Sequence, residues 1–284
     1  MLRVVVIALL GGMLFSPARA ETLLERGDYL VNGIVACGNC HTPQGPDGPL
    51  AGMEFAGQLV IDWEPFTAYA PNITPDAETG IGGWSKEDVI RAIREGLRPD
   101  GSLIGPPMPI GLYRGISDED VEAIAAYVLS VPAVSNEVPK SVYRIPLPPS
   151  YGPPVENVAA PAREDRLAYG AYLAGPLGHC VECHTPFVEG HADLENQLGA
   201  GGNVLPGPWG ISVSANITPH PRDGIDPEIT DAQLAQMIRQ GQRPDGAPMM
   251  PPMGYRYYAS IDEADMAALI RYIRSLEPKP LPGN

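Results

Sequence analysis

All four cysteines of the chain fall in two copies of one five-residue pattern, Cys37-Gly38-Asn39-Cys40-His41 and Cys180-Val181-Glu182-Cys183-His184. Cys-x-x-Cys-His is the attachment sequence for c-type haem. The spacing has a mechanical reason. Two thiols three residues apart each add to one vinyl group of the porphyrin, and the adjacent histidine is delivered under the ring to bind iron, so haem and peptide become one covalent object. Cys-x-x-Cys alone also serves zinc sites and thioredoxin-like redox pairs. Zinc requires the two pairs to converge on one metal, or extra ligands beside each, and no other cysteine exists to help. The two copies therefore predict two covalently bound haem c groups, with zinc and disulfides as the competing readings.

The first twenty residues read as an export signal. Arg3 precedes the apolar run Val4 to Leu10, which continues through Met13, Leu14 and Phe15, and Ala18-Arg19-Ala20 forms a small-x-small cleavage site. The competing reading is an uncleaved anchor, but the apolar stretch is shorter than the roughly 20 residues that cross a bilayer. Cleavage after Ala20 and a periplasmic location are expected, and export agrees with haem c being attached outside the cytoplasm. Removing Arg3 and Arg19 lowers the basic count from 19 to 17 against 34 acidic residues, a formal charge of −17. Nucleic acid and anionic lipid are poor partners for such a chain. With only Lys86, Lys140 and Lys279 as lysines, steering favours a partner with a basic face.

The second half repeats the first at about 145 residues, which suits tandem domains rather than a solenoid. Gly27-Asp28-Tyr29-Leu30 matches Gly170-Ala171-Tyr172-Leu173, Thr42-Pro43 matches Thr185-Pro186, and Asn72-Ile73-Thr74-Pro75 matches Asn216-Ile217-Thr218-Pro219. Arg98-Pro99-Asp100-Gly101 matches Arg243-Pro244-Asp245-Gly246, and Pro106-Pro107-Met108 matches Pro251-Pro252-Met253. Each unit predicts a short helix before its cysteines, Leu23 to Ile34 and Leu167 to Ala174. A middle helix runs from the cap Ser85 to Gly96, copied from Thr230 to Gly241. A last helix starts near Ser117 with Val121, Ile124, Ala125 and Val128 on one face, matched by Met266, Leu269, Ile270 and Ile273. The domain reading is a first unit over 21–131, a proline-rich linker over 132–161 and a second unit over 162–284. Eight prolines make that linker an extended strap.

The sixth iron ligand separates a carrier from an enzyme. A second protein ligand closes the haem to all but electron transfer, whereas an open face admits oxygen or peroxide. In the first unit the candidate is Met108, set among prolines that restrict its loop. Met253 holds the corresponding place in the second unit, with Met249 and Met250 as alternative donors nearby. His179 adjoins Cys180 and is poorly placed to reach the opposite haem face, while His191 and His220 read as solvated or capping histidines.

Together, Cys-x-x-Cys-His-Thr-Pro, Asn-Ile-Thr-Pro-Asp followed by Thr79-Gly80-Ile81-Gly82-Gly83-Trp84-Ser85, Pro-Pro-Met-Pro and Ser117-Asp118-Glu119-Asp120-Val121 resemble the cytochrome c subunits of bacterial alcohol, gluconate and aldehyde dehydrogenases. The resemblance covers both units and is clearest in the first. It implies an all-α fold of two tandem class I cytochrome c domains. It implies Cys37, Cys40, Cys180 and Cys183 as porphyrin attachment points, His41 and His184 as proximal iron ligands, and Met108 and Met253 as distal ones. The Asn72 and Asn216 loops would lie against the haem edge. Typical members carry three haems and this chain has two such motifs, with no evident membrane-binding helix at its end. The implied role is electron transfer from a periplasmic dehydrogenase subunit, of quinoprotein, flavin or molybdenum type, to a downstream acceptor of the respiratory chain. A dihaem peroxidase and a free soluble shuttle are the alternatives.

Overall fold

The computed structural model describes residues 20–46 and 48–283. Residues 1–19 of the expected signal segment lie outside the described residues. In the first unit, α1 (Leu23–Val31) starts from a capping box in which Thr22 and Glu25 satisfy each other's backbone N–H groups. The short α2 (Cys37–His41) carries the first cysteine motif. Next come α3 (Lys86–Glu95), α4 (Ile110–Tyr113) and α5 (Asp118–Val128). The second unit repeats the series as α6 (Arg166–Tyr172), which runs into a wider turn over Leu173–Leu177, then α7 (Cys180–Cys183), α8 (Asp231–Gln240), α9 (Tyr255–Tyr258) and α10 (Glu263–Ser275).

The middle helices form where the capping chemistry places them. Ser85 and Asp88 close a capping box on α3, Thr230 and Gln233 close one on α8, and both helices end at a left-handed glycine, Gly96 and Gly241. On the last helices, Val121, Ile124, Ala125 and Val128 are buried, as are Met266, Leu269, Ile270 and Ile273. No helix among the described residues is long and apolar enough to cross a membrane.

An all-α fold is not what the chain adopts. The structure is 31% helical and 12% strand, with several small antiparallel sheets. In the first unit, β1 (Gln44–Gly45) pairs with β2 (Gly48–Pro49). There β3 (Gln58–Asp62) pairs with β4 (Phe66–Ala70), and β4 also pairs with β5 (Val142–Tyr143) from the proline-rich segment. In the second unit, β6 (Phe187–Val188) pairs with β7 (His191–Ala192), and β8 (Val204–Gly207) with β9 (Gly210–Val213). The physical reason lies in the long stretches between each cysteine motif and its middle helix. Leu59 pairs with Tyr69, Ile61 with Ala68 and Asp62 with Thr67 across a turn at Trp63 to Pro65, a hairpin rich in β-branched and aromatic residues that helical periodicity does not detect.

The repeated Gly-x-Tyr-Leu does two jobs. A Cβ on Gly27 would lie 2.2 Å from the Ala123 carbonyl oxygen of α5, and one on Gly170 would lie 2.1 Å from the Ala268 carbonyl oxygen of α10. Only glycine lets the first and last helices of each unit approach this closely. The tyrosine two residues on then crosses to the other unit. The Tyr29 hydroxyl donates to Asp265 Oδ2 at 2.9 Å and accepts from the Asp262 N–H at 3.2 Å. Tyr172 reciprocates, donating to Asp120 Oδ2 at 2.7 Å and accepting from the Ser117 N–H at 3.0 Å. Because Ser117 and Asp120 match Asp262 and Asp265 at the repeat offset of 145, the two units grip each other through the same contact made twice.

Gly27→Ala and Gly170→Ala are each expected to lower unfolding stability by about 1–3 kcal/mol through forced separation of the crossed helices. Gly83→Ala, where an added Cβ meets nothing within 4 Å, changes it by less than about 0.5 kcal/mol. Denaturant titration of the haem-loaded protein checks this; equal midpoints for all three variants would contradict it.

Candidate haem-binding site

Each cysteine motif is entered through a left-handed residue, Ala36 (φ 52°) before α2 and His179 (φ 39°) before α7. The threonine after each motif ties the turn to the chain beyond. Thr42 Oγ1 accepts the Phe55 N–H at 3.1 Å, and Thr185 Oγ1 accepts the Gly199 N–H at 3.0 Å. The repeated Thr-Pro thus has a local structural role.

Both motifs open onto one cavity of about 590 Å³. Cys37, Cys40, His41 and Met108 line it from the first unit, and Cys180, Cys183, His184 and Met253 from the second. All eight sequence-predicted site residues meet there. His179 also lines it, while His191 and His220 do not; His220 Nδ1 instead accepts the Asp223 N–H at 3.2 Å.

The histidines are held in the tautomer a metal requires. His41 Nδ1 lies 2.8 Å from the Pro71 carbonyl oxygen, and His184 Nδ1 lies 2.7 Å from that of Ala215. A carbonyl only accepts, so each Nδ1 carries the proton and each Nε2 keeps a free lone pair. Burial lowers the pKa of both imidazoles, against the opposing pull of those carbonyls, and favours the neutral ligating form. The carbonyls are positioned by the next residue in each unit. Asn72 Oδ1 accepts from the Thr74 N–H and Oγ1, and its Nδ2 donates to Thr79 Oγ1 and to the Val134 carbonyl. Asn216 repeats this with Thr218 and the Lys279 carbonyl. The Asn-Ile-Thr loops therefore aim the carbonyls that orient the histidines.

The methionine loops repeat as well. The Ile104 N–H donates to the Gly96 carbonyl at 2.7 Å, and the Met249 N–H donates to the Gly241 carbonyl at 2.7 Å. Met249 therefore stands where the first unit has Ile104, Met250 where it has Gly105, and Met253 where it has Met108. Met253 packs against the core, whereas Met250 is 47% exposed.

The donor set and lining fit two haems. Apolar side chains dominate the wall, the imidazoles of His41 and His184 and the thioethers of Met108 and Met253 are among the groups that face it, and burial pushes the Cys37 thiol up to about 12 and the Cys180 thiol up to about 11. No group of three or more His, Cys, Asp or Glu side chains placed to hold one metal ion occurs among the described residues, so the competing zinc reading finds no convergent site there.

Several site-building residues escape sequence reasoning. Gly57 (φ 86°) and Gly201 (φ 70°) donate their N–H groups to the His41 and His184 carbonyls at 2.7 and 2.8 Å, and a Cβ on either would strike the loop that orients its histidine. Their repeat at an offset of 144 was a readable signal. Contacts between the units had none. Asn39, inside the first motif, donates through Nδ2 to the Pro252 carbonyl at 2.9 Å, and the Tyr113 ring meets that of His179 at 5.9 Å.

Asn72→Ala is expected to cost about 1–3 kcal/mol of stability by stranding buried partners and to broaden the haem ligand-field spectrum as the Pro71 carbonyl loses its fixed position. Unfolding midpoints and low-temperature optical spectra check both parts; an unaltered spectrum would detach the loop from histidine orientation.

Comparison with known proteins agrees with this geometry. The Cytochrome c family model matches residues 25–132 and 168–277. The gluconate 2-dehydrogenase cytochrome c subunit of Pantoea cypripedii is 32% identical over 278 residues, covering 91% of this chain and 60% of the relative. The fructose dehydrogenase cytochrome subunit of Gluconobacter japonicus is 32% identical, covering 95% of this chain and 56% of the relative. A diheme cytochrome c-type protein of Cereibacter sphaeroides is 29% identical, covering 84% of each. The chain thus spans less than two thirds of the dehydrogenase cytochrome subunits it matches. With two copies of the domain, each built around its own Cys-x-x-Cys-His turn, the chain belongs to the cytochrome c family and carries two haem c groups.

Proposed function

We propose that this chain is a periplasmic dihaem cytochrome that carries electrons from a dehydrogenase catalytic subunit towards the respiratory chain, and that it is not itself a catalytic subunit. The observation that carries this reading is the duplicated arrangement of a carbonyl-tethered histidine and a proline-held methionine on one shared cavity. The haems supply reversible one-electron oxidation and reduction at iron. The protein's part is attachment through Cys37, Cys40, Cys180 and Cys183, proximal ligation by His41 and His184, and distal ligation by Met108 and Met253. A thioether opposite the histidine of each iron would restrict the chemistry to electron transfer. The working units are residues 21–131 and 162–284, joined by the segment 132–161.

The names of the relatives support a dehydrogenase as electron donor and give a peroxidase no support. Whether that donor holds a quinone, flavin or molybdenum cofactor is a property of the partner. The acidic balance of the chain, with a formal charge of −15, favours a basic docking face on it.

Two experiments test the reading. Affinity capture of the tagged, haem-loaded protein from periplasm and membranes is expected to retain a dehydrogenase subunit in stoichiometric amount; recovery of the cytochrome alone would point to a free shuttle. Met108→Ala is expected to lower the potential of one haem and let its reduced form bind carbon monoxide, with no such binding expected of the parent protein. An unchanged spectrum and potential would remove Met108 from the ligand set.

A further inference from the structure

The two units differ at one place where their topology is otherwise shared. In the first, β4 is the middle strand of its sheet, paired with β3 on one side and with β5 on the other in the register Phe66↔Tyr143 and Thr67↔Val142. In the second, β8 and β9 form a two-stranded sheet, and no described strand pairs with the outer edge of β9. Pro206 stands opposite Ile211 and has no N–H, so that pair is a non-hydrogen-bonded one. Alternation then directs the main-chain groups of Ile211 and Val213 away from β8, to the open edge. Counting back from Asn72 and Asn216, Val213 corresponds to Tyr69. The Tyr69 N–H, on the equivalent edge, donates to Ser141 Oγ at 2.9 Å.

The side chains carry the same message. Ser212 is buried, Ile211 is 70% exposed and Val213 57% exposed, and all three line the cavity, so the open edge of β9 runs along the cavity wall. The neighbouring hairpin exposes Phe187 and Val188 where the first unit has Gln44 and Gly45. The Phe187 N–H donates to Asn203 Oδ1 at 3.0 Å, which ties this hairpin to the residue before β8. Exposed Glu189 and Glu195 flank it.

The first unit shows what such an edge accepts. Its third strand comes from Pro139-Lys140-Ser141-Val142-Tyr143-Arg144-Ile145-Pro146, an extended segment with two basic residues in an otherwise acidic chain. Its Tyr143 hydroxyl donates to the Pro106 carbonyl of the methionine loop at 2.9 Å. We propose that the β9 edge accepts an extended segment of a partner protein, apolar in alternation and flanked by lysine or arginine, as a third strand of the β8–β9 sheet. Charge complementarity with an acidic chain and the basic character of the internal copy both favour that occupant. The proposal rests on the electron-transfer reading, because Leu205 and Ser212 of this sheet form a wall of the cavity that holds the second cysteine motif. A strand added there docks the partner beside the second haem.

The test uses the haem-loaded full chain and a synthetic peptide of residues 138–147. Hydrogen exchange at the Ile211 and Val213 amides is expected to slow at least tenfold with the peptide and not with a scrambled peptide of the same composition. The double substitution Ile211→Lys and Val213→Lys is expected to weaken peptide binding at least tenfold with the unfolding midpoint unchanged, since both side chains are more than half exposed. Absence of protection at β9, or equal protection by the scrambled peptide, overturns the proposal. Protection that appears without peptide and grows with protein concentration overturns it in favour of a second copy of this chain. Reduction of both haems by a small dye reports on the electron-transfer reading alone; its failure, with peptide protection intact, would sink that reading and leave the strand-addition site standing.

Discussion

The fold depends on a hydrogen bond made twice: a tyrosine hydroxyl from the first helix of each unit to a buried carboxylate at the start of the other's last helix. Asp120 and Asp265 are almost fully buried, and each is also paired with an arginine, Arg26 to Asp120 at 2.8 Å and Arg163 to Asp265 at 3.1 Å. A buried carboxylate that lost these partners would be costly, so the reciprocal contact fixes the relative position of the units. That position brings both cysteine motifs onto one cavity, and neither unit closes its site alone. Asn39 of the first motif is tied to the methionine loop of the second unit, and Tyr113 of the first unit lies against His179, which introduces the second motif.

Within each unit the site is a chain of supports. Gly57 and Gly201 bring the backbone close, the asparagine loops aim one carbonyl each, and that carbonyl sets the tautomer of the histidine. The repeated Asn-Ile-Thr-Pro is thus explained by second-sphere orientation rather than by contact with a metal. The units diverge in how their outer faces are finished. In the first, Tyr143 and Tyr151 of the proline-rich segment reach the Pro106 and Ile104 carbonyls of the methionine loop. In the second, Tyr255 donates to the Met250 carbonyl at 3.2 Å and Met250 remains exposed. The duplicated core is symmetric and its covering is not.

What was legible in the sequence was what local chemistry dictates. The capping boxes at Ser85 and Thr230, the terminating glycines Gly96 and Gly241 and the apolar faces of the last helices all follow from residues within a few positions of one another. The eight site candidates were likewise named from local features, ligand spacing and loop prolines, and all eight line the cavity. The local hairpins were missed because the segments between the cysteine motifs and the middle helices were read only for helical periodicity, and β5 because its partner β4 lies more than seventy residues away, a partnership no local period records. The roles of Tyr29 and Tyr172 were hidden for the same reason: each tyrosine reads as an ordinary helix residue until its distant carboxylate is in place.

The central claim is that two haems share one protein cavity and exchange electrons within a single molecule. Pulse reduction of the fully oxidised protein, with the two haems followed separately at their own wavelengths, tests it directly. The account predicts that electrons redistribute between the haems at a rate independent of protein concentration. A redistribution rate that rises in proportion to concentration would mean that the haems communicate only by collision, and would contradict the shared cavity as the functional unit.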